Sequence, residues 1–244
     1  MMIVRQDKGY TIIELVIVII VIGILATVAT RTLQPSIDTA RYEQTKTELD
    51  HLAWAVAGNP LIYDDGARSD FGYVGDVGAL PPNLDALVTN PGGFATWDGP
   101  YIDPGKDGVG FKQDAWEVAY TFTGTAVRSI GSGQTIEKVI AANNSALLAN
   151  DVRGVVLNAD GTIPGATYAD SVRLRLLYPD GTGSIGAALT APSEDGSFSF
   201  SGIPVGNHQL ELIYVPEDDT VSYTVCVNPG RTTHLELVSP ADLW

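Results

Sequence analysis

The segment that most restricts this chain is KGYTIIELVIVIIVIGILATVATR, residues 8–31. From Ile12 to Ala29 it is apolar apart from Glu14 and a few small residues. As a helix that run extends about 27 Å at about 1.5 Å per residue, close to the hydrocarbon thickness of a bilayer. A plain anchor has no use for Glu14. A charge at the centre of a membrane helix costs about 2.5–3.5 kcal/mol on insertion scales, so an intramembrane acid has a partner and a task. A cleaved secretory signal fits poorly, because the core carries an acid and no good small-x-small site follows it.

Lys8, Gly9, Tyr10, Thr11, Glu14 and the Ile/Val/Leu run behind them resemble the processing signal of type IV pilins and pseudopilins. The resemblance implies that a prepilin peptidase cuts the Gly9–Tyr10 bond on the cytoplasmic side. It further implies that the new terminus is N-methylated and that the apolar helix stays on the mature protein. The family usually has phenylalanine after the cut; Tyr10 keeps the ring. Physical chemistry supplies a task for the acid. When apolar helices bundle, each incoming amino terminus enters a low-dielectric core, and an acid on a neighbour makes a pair of two buried charges. Such a pair also fixes register, as one buried polar residue does in coiled coils. Glu14, with Thr11 beside it, is therefore expected to act in assembly.

Charge distribution agrees with a membrane-held, exported body. The net charge is −15, with +1 over residues 1–9, −8 over 10–150 and −8 over 151–244. A basic tip, an apolar run and an acidic remainder read as a cytoplasmic start, a membrane and a periplasmic body. The same acidity excludes nucleic acid as a partner, since phosphates demand a basic face. Cys226 is the one cysteine, so no intramolecular disulfide forms.

Past Arg31 the pattern turns amphipathic. Ile37, Ala40, Thr45, Leu49, Leu52, Ala53 and Val56 recur at three- and four-residue steps. Pro35 is expected to kink or interrupt the helix, with Ser36 as a fresh N-cap. Gly58-Asn59-Pro60 is the stop signal. Residues 60–150 hold short apolar pieces between turn residues. Asn83 to Val88 reads as a short helix, and WDGPYIDP and DAWEVAYTF as turn-plus-strand units. Their order resembles the major pseudopilin of type II secretion at Pro81, Leu84 and Leu87, at Gly99, Pro100 and Tyr101, and at Asp114, Trp116 and Tyr120. Ala115 and Glu117 stand where that family favours proline and glycine. The resemblance covers residues 5–135.

Many such pseudopilins hold calcium in a Ser-x-Gly-x-Asp-Gly loop. The matching stretch, Ser129-Ile130-Gly131-Ser132-Gly133-Gln134, lacks the aspartate, and Ca²⁺ takes several carboxylate or carbonyl oxygens. Asp103, Asp107 and Asp114 form a second, weak calcium candidate. Their loop lacks the third-position acid and the closing glutamate of an EF-type loop. An acidic surface loop is the plainer account, and no cofactor is expected.

From Asp151 onwards, alternating strands are separated by Asp-Gly or Pro-Gly turns, as in Val172/Leu174/Leu176 against Arg173/Arg175. Seven short strands suggest a small antiparallel β-sandwich. Gly154, Val156, Asp160, Gly161, Gly165, Ala166, Asp195–Phe198, Ile203, Pro204 and Gly206 resemble a carboxypeptidase regulatory-like (transthyretin-like) domain. The resemblance implies a non-catalytic interaction module. A piece of this size is long enough to fold alone.

Catalysis finds no support in the motifs. His51, His208 and His234 are scattered and read as surface residues. No phosphate loop, nucleophile elbow or zinc spacing appears. Cys226 reads as an inert strand thiol.

The expectation is thus an α+β protein that is not an enzyme. Residues 1–9 are a leader, 10–31 a transmembrane and assembly helix and 32–140 a pilin-like head. Residues 141–150 are a linker and 151–244 a sandwich. Its expected task is to assemble into a periplasmic pseudopilus for type II secretion. Expected partners are prepilin peptidase, an inner-membrane assembly platform, other pseudopilins, its own copies and the membrane. A surface pilus subunit for adhesion or motility and a tethered, non-polymerising binding protein are the rival readings.

Overall fold

The run rich in isoleucine, valine and leucine is helical from its start, and α1 spans Ile12–Ala57. The computed structural model describes residues 9–105, 108–239 and 242–244. Its chain forms two compact units, one ending at Gln44 and one spanning Thr45–Trp244. The architecture is α+β.

Pro35 lies inside α1, and the helix does not restart after it. Ser36 is a mid-helix residue rather than a fresh N-cap, so that expectation is corrected. Proline's fixed φ suits the helix, and its main penalty is one lost backbone bond. Locally, Thr39 Oγ1 donates to the Pro35 carbonyl at 2.8 Å. In the first unit the side chains from Ile12 to Val28 are exposed on all sides. A helix that is apolar all round is stable only inside lipid or among other helices. Among the described residues, however, no helix is long and apolar enough to cross a membrane.

The second unit begins where α1 acquires a packed face. Thr45, Leu49, Leu52, Ala53 and Val56 are buried, whereas Ile37 and Ala40 of the expected stripe are exposed. Gly58 ends the helix with φ 77°, the left-handed C-terminal cap for which glycine is suited. A Cβ there would lie 2.2 Å from the Asp70 carbonyl oxygen. A hairpin of β1 (Tyr63–Asp64) and β2 (Ala67–Arg68) follows, then α2 (Gly72–Val77). The short helix expected near residue 84 is a 3₁₀ turn, Leu84–Leu87, capped by Asn83, whose side chain accepts from Ala86 N–H. Strands β3 (Thr121–Phe122), β4 (Ala126–Ser129) and β5 (Ile136–Val139) make an antiparallel sheet. Their core with α1 includes Leu49, Leu52, Val56, Tyr73, Leu87 and Val127.

Segment 141–150 carries α3 (Asn144–Leu148), whose Leu147 is fully buried. Seven strands follow among the described residues: β6 (Asn150–Leu157), β7 (Val172–Pro179), β8 (Ile185–Thr190), β9 (Ser197–Ile203), β10 (Gly206–Tyr214), β11 (Asp219–Val227) and β12 (Thr233–Val238). They form two sheets, ordered β11-β10-β7-β8 and β12-β6-β9. Inward residues of both, such as Val156, Phe200 and Leu237 with Leu174, Leu210 and Val225, share one core. The sheets are not purely antiparallel, because β12 runs parallel to β6.

The head and the seven-stranded region interlock. Val205, between β9 and β10, is buried in the core that α1 and β4 line. Its N–H donates to the Leu147 carbonyl at 2.9 Å. Gly181 N–H reaches the Val77 carbonyl, and Ala95 N–H the Gly183 carbonyl, each at 2.9 Å. Burying one valine contributes roughly 1.5–3 kcal/mol. The two regions thus share buried contacts beside the separate core of the seven strands.

Candidate processing and assembly site

Gly9, Tyr10 and Thr11 precede the helix and are exposed; Tyr10 is 83% exposed. The first turn of any helix leaves unpaired N–H groups. Here Thr11 Oγ1 accepts from Glu14 N–H at 3.3 Å, and the Thr11 carbonyl accepts from Leu15 N–H at 3.1 Å. Thr11 is therefore the N-cap of α1, and Glu14 sits in the first turn, where a negative charge complements the helix dipole. The structure brings Thr11 and Glu14 together by this backbone contact. Residues 1–8, including Lys8, lie outside the described residues.

Of the calcium candidates, Asp107 also lies outside the described residues. Asp103 Oδ1 accepts from Gly105 N–H at 2.9 Å in an exposed turn. Asp114 is 4% exposed, and both its oxygens are occupied. Oδ1 accepts from Trp116 N–H at 2.9 Å and Val118 N–H at 3.0 Å. Oδ2 accepts from Ser129 Oγ at 2.6 Å and Gly131 N–H at 3.0 Å. Burial works against its ionisation, but the hydrogen bonds led by that from Ser129 outweigh it and hold the carboxyl below the usual range. The Ser129–Gln134 stretch that resembles a calcium loop is thus tied to a carboxylate of the same chain. Among the described residues, no three His, Cys, Asp or Glu side chains are grouped to hold a metal ion.

Two residues of the turn at Asp114, Ala115 and Glu117, depart from the pseudopilin pattern, and the structure accounts for the first. Ala115 N–H, which a proline would lack, donates to Thr45 Oγ1 on α1 at 3.2 Å. Thr45 is fully buried, so the pair joins the turn to the helix. Glu117 takes φ 64°, the left-handed region where a glycine is unstrained. Tyr120 OH completes the contact, donating to Glu48 Oε2 at 2.6 Å; burial pushes its pKa up.

Arg68 was not legible as a key residue. It is buried, and its guanidinium donates to the Ala57 carbonyl and, at 3.0 Å, to the Gly58 carbonyl, the unpaired end of α1. Its own carbonyl accepts from Asn207 Nδ2 at 3.1 Å and from the Cys226 thiol at 3.7 Å. Burial raises the Cys226 pKa, in keeping with an unreactive thiol. His208 is not a surface residue as expected; it is 3% exposed, with Nε2 2.7 Å from the Pro204 carbonyl oxygen, and burial lowers its pKa. His51 is exposed and packs on Trp54 at 5.4 Å; His234 is exposed on β12.

The family model described as the prokaryotic N-terminal methylation motif matches residues 4–30, a span that brackets Gly9, Tyr10, Thr11 and Glu14. The N-terminal segment is thus similar to segments that carry the prokaryotic N-terminal methylation motif. A type II secretion system core protein G from Xanthomonas campestris pv. campestris is 31% identical over 98 residues, 40% of this chain and 59% of that protein. This chain therefore spans less than two thirds of the relative's length. Among solved structures, the dioxygenase domain of a dioxygenase carbohydrate-binding fusion from Streptomyces sp. SirexAA-E gives a TM-score of 0.30 at 14% identity. It covers 39% of this chain and 81% of its own, and so weak a likeness carries no argument. The candidate processing and assembly residues, Gly9, Tyr10, Thr11 and Glu14, lie in the first unit. The buried networks of Asp114 and Arg68 lie in the second.

Proposed function

We propose that this chain is a structural, non-enzymatic subunit of a type II secretion pseudopilus, cut at Gly9–Tyr10 and assembled through α1. The observation that carries the reading is the methylation motif across residues 4–30, with Glu14 in the first turn of an apolar helix exposed on all sides. Identity to a secretion-system core protein supports the choice of system. Exposed isoleucines and valines from Ile12 to Val28 support a helix held by the inner membrane before assembly and by neighbouring helices after it. In this reading the amino terminus is cytoplasmic, the second unit is periplasmic, and Glu14 pairs with the amine of an adjacent copy. An assembly platform and other pseudopilins are its partners. The seven-stranded region is a non-catalytic interaction module.

Mass spectrometry of the N-terminal peptide from cells tests the reading. The expected peptide starts at N-methylated Tyr10. An intact Met1, or a start near Thr30, overturns it.

A further inference from the structure

Processing at Gly9–Tyr10 requires that the Gly9 carbonyl be free when a water attacks it. In that step the C–N bond breaks, Gly9 keeps the new carboxylate and Tyr10 leaves with the proton as an amine. A helix one turn longer at its start would put Ile13 N–H onto that carbonyl, since each helical N–H bonds the carbonyl four residues back. The bond would then be both engaged and shielded.

Local geometry prevents this. Helix α1 begins at Ile12, and its first backbone bond runs from Leu15 N–H to the Thr11 carbonyl at 3.1 Å. Thr11 Oγ1 accepts from Glu14 N–H at 3.3 Å, taking a donor that would otherwise draw the chain into a further turn. Gly9 and Tyr10 stay outside the helix and exposed, and a Cβ at Gly9 would meet nothing within 4 Å. We infer that Thr11 is a positioning residue for cleavage: its hydroxyl ends the helix at Ile12 and so keeps the Gly9 carbonyl open to the peptidase. The inference rests on the processing reading above and adds to it a residue that acts before assembly.

The test uses the full-length precursor in membranes with a prepilin peptidase, comparing Thr11→Val and Thr11→Ser with wild type. Valine has threonine's shape without the hydroxyl; serine keeps the hydroxyl. The rate at which chains beginning at Tyr10 appear, read by mass spectrometry, is expected to fall about fivefold for valine, the factor that about 1 kcal/mol of capping represents. Serine is expected to stay within about twofold of wild type, since Ser and Thr are both good caps. Amide shifts of Tyr10 and Thr11 are expected to move toward helical values in the valine variant alone. Valine processed at the wild-type rate overturns the inference, and so does serine as slow as valine. Wild type left uncut at Gly9–Tyr10 defeats the processing reading itself, whatever Thr11 does.

Discussion

Asp114→Asn is the sharpest probe of the head. The carboxylate accepts four hydrogen bonds, two on each oxygen, while only 4% exposed. Asparagine has nearly the same shape but only one accepting oxygen. With that oxygen kept toward Trp116 and Val118, the new NH₂ faces Ser129 Oγ and Gly131 N–H. The serine hydroxyl can turn and accept; the Gly131 N–H cannot. One unpaired N–H costs about 1–3 kcal/mol, and the remaining bonds lose the gain of a charged acceptor. About 3 kcal/mol is the expected sum, or a fall of about 6–12 °C in Tm for a body of this size. Near-UV circular dichroism of the full-length protein in detergent reads it. The pH dependence carries a sign. Because the folded pKa lies below the unfolded one, the stabilisation is present above about pH 4 and is lost as pH falls through the folded value. The gap between wild type and Asp114→Asn should therefore close in acid. A variant melting within about 1 °C of wild type at pH 7, or a gap unchanged down to pH 3, refutes the reasoning.

Glu117→Gly should raise stability by about 1 kcal/mol, the strain of a left-handed non-glycine residue, visible as a higher melting temperature; a lower one refutes it. Removing the buried Arg68 guanidinium in Arg68→Ala should cost about 3 kcal/mol through unpaired helix-end carbonyls. The head and the seven-stranded region should still melt in one calorimetric transition; two separate transitions would show that Val205 and Leu147 do not couple them. Millimolar Ca²⁺ or a chelator should leave the melting temperature unmoved, because Asp114 has no lone pair to offer; a shift of several degrees would revive the loop of Asp103, Asp107 and Asp114. Glu14→Ala should leave membrane insertion intact and abolish filaments, and normal filaments in cells would dismiss the register role.

Patterns confined to one element are legible in the chain. The apolar run with Glu14, the local stop at Gly58-Asn59-Pro60 and the alternation in Val172/Leu174/Leu176 each lie within one element or at its end, so helix, helix end and strands are readable. Pro35 does not interrupt the helix, because proline's penalty is local and a helix this long absorbs one lost bond. Tertiary structure alone decided the rest. Asp114 binds residues 15 and 17 positions away, Ala115 reaches back to Thr45, and Arg68 joins the end of α1 to Asn207 and Cys226. It also set β12 parallel to β6 and put Val205 into the core of the head. Hydrogen bonds and burial between distant residues leave no period in the chain. Their partners are chosen only when the elements pack and each buried donor must find an acceptor.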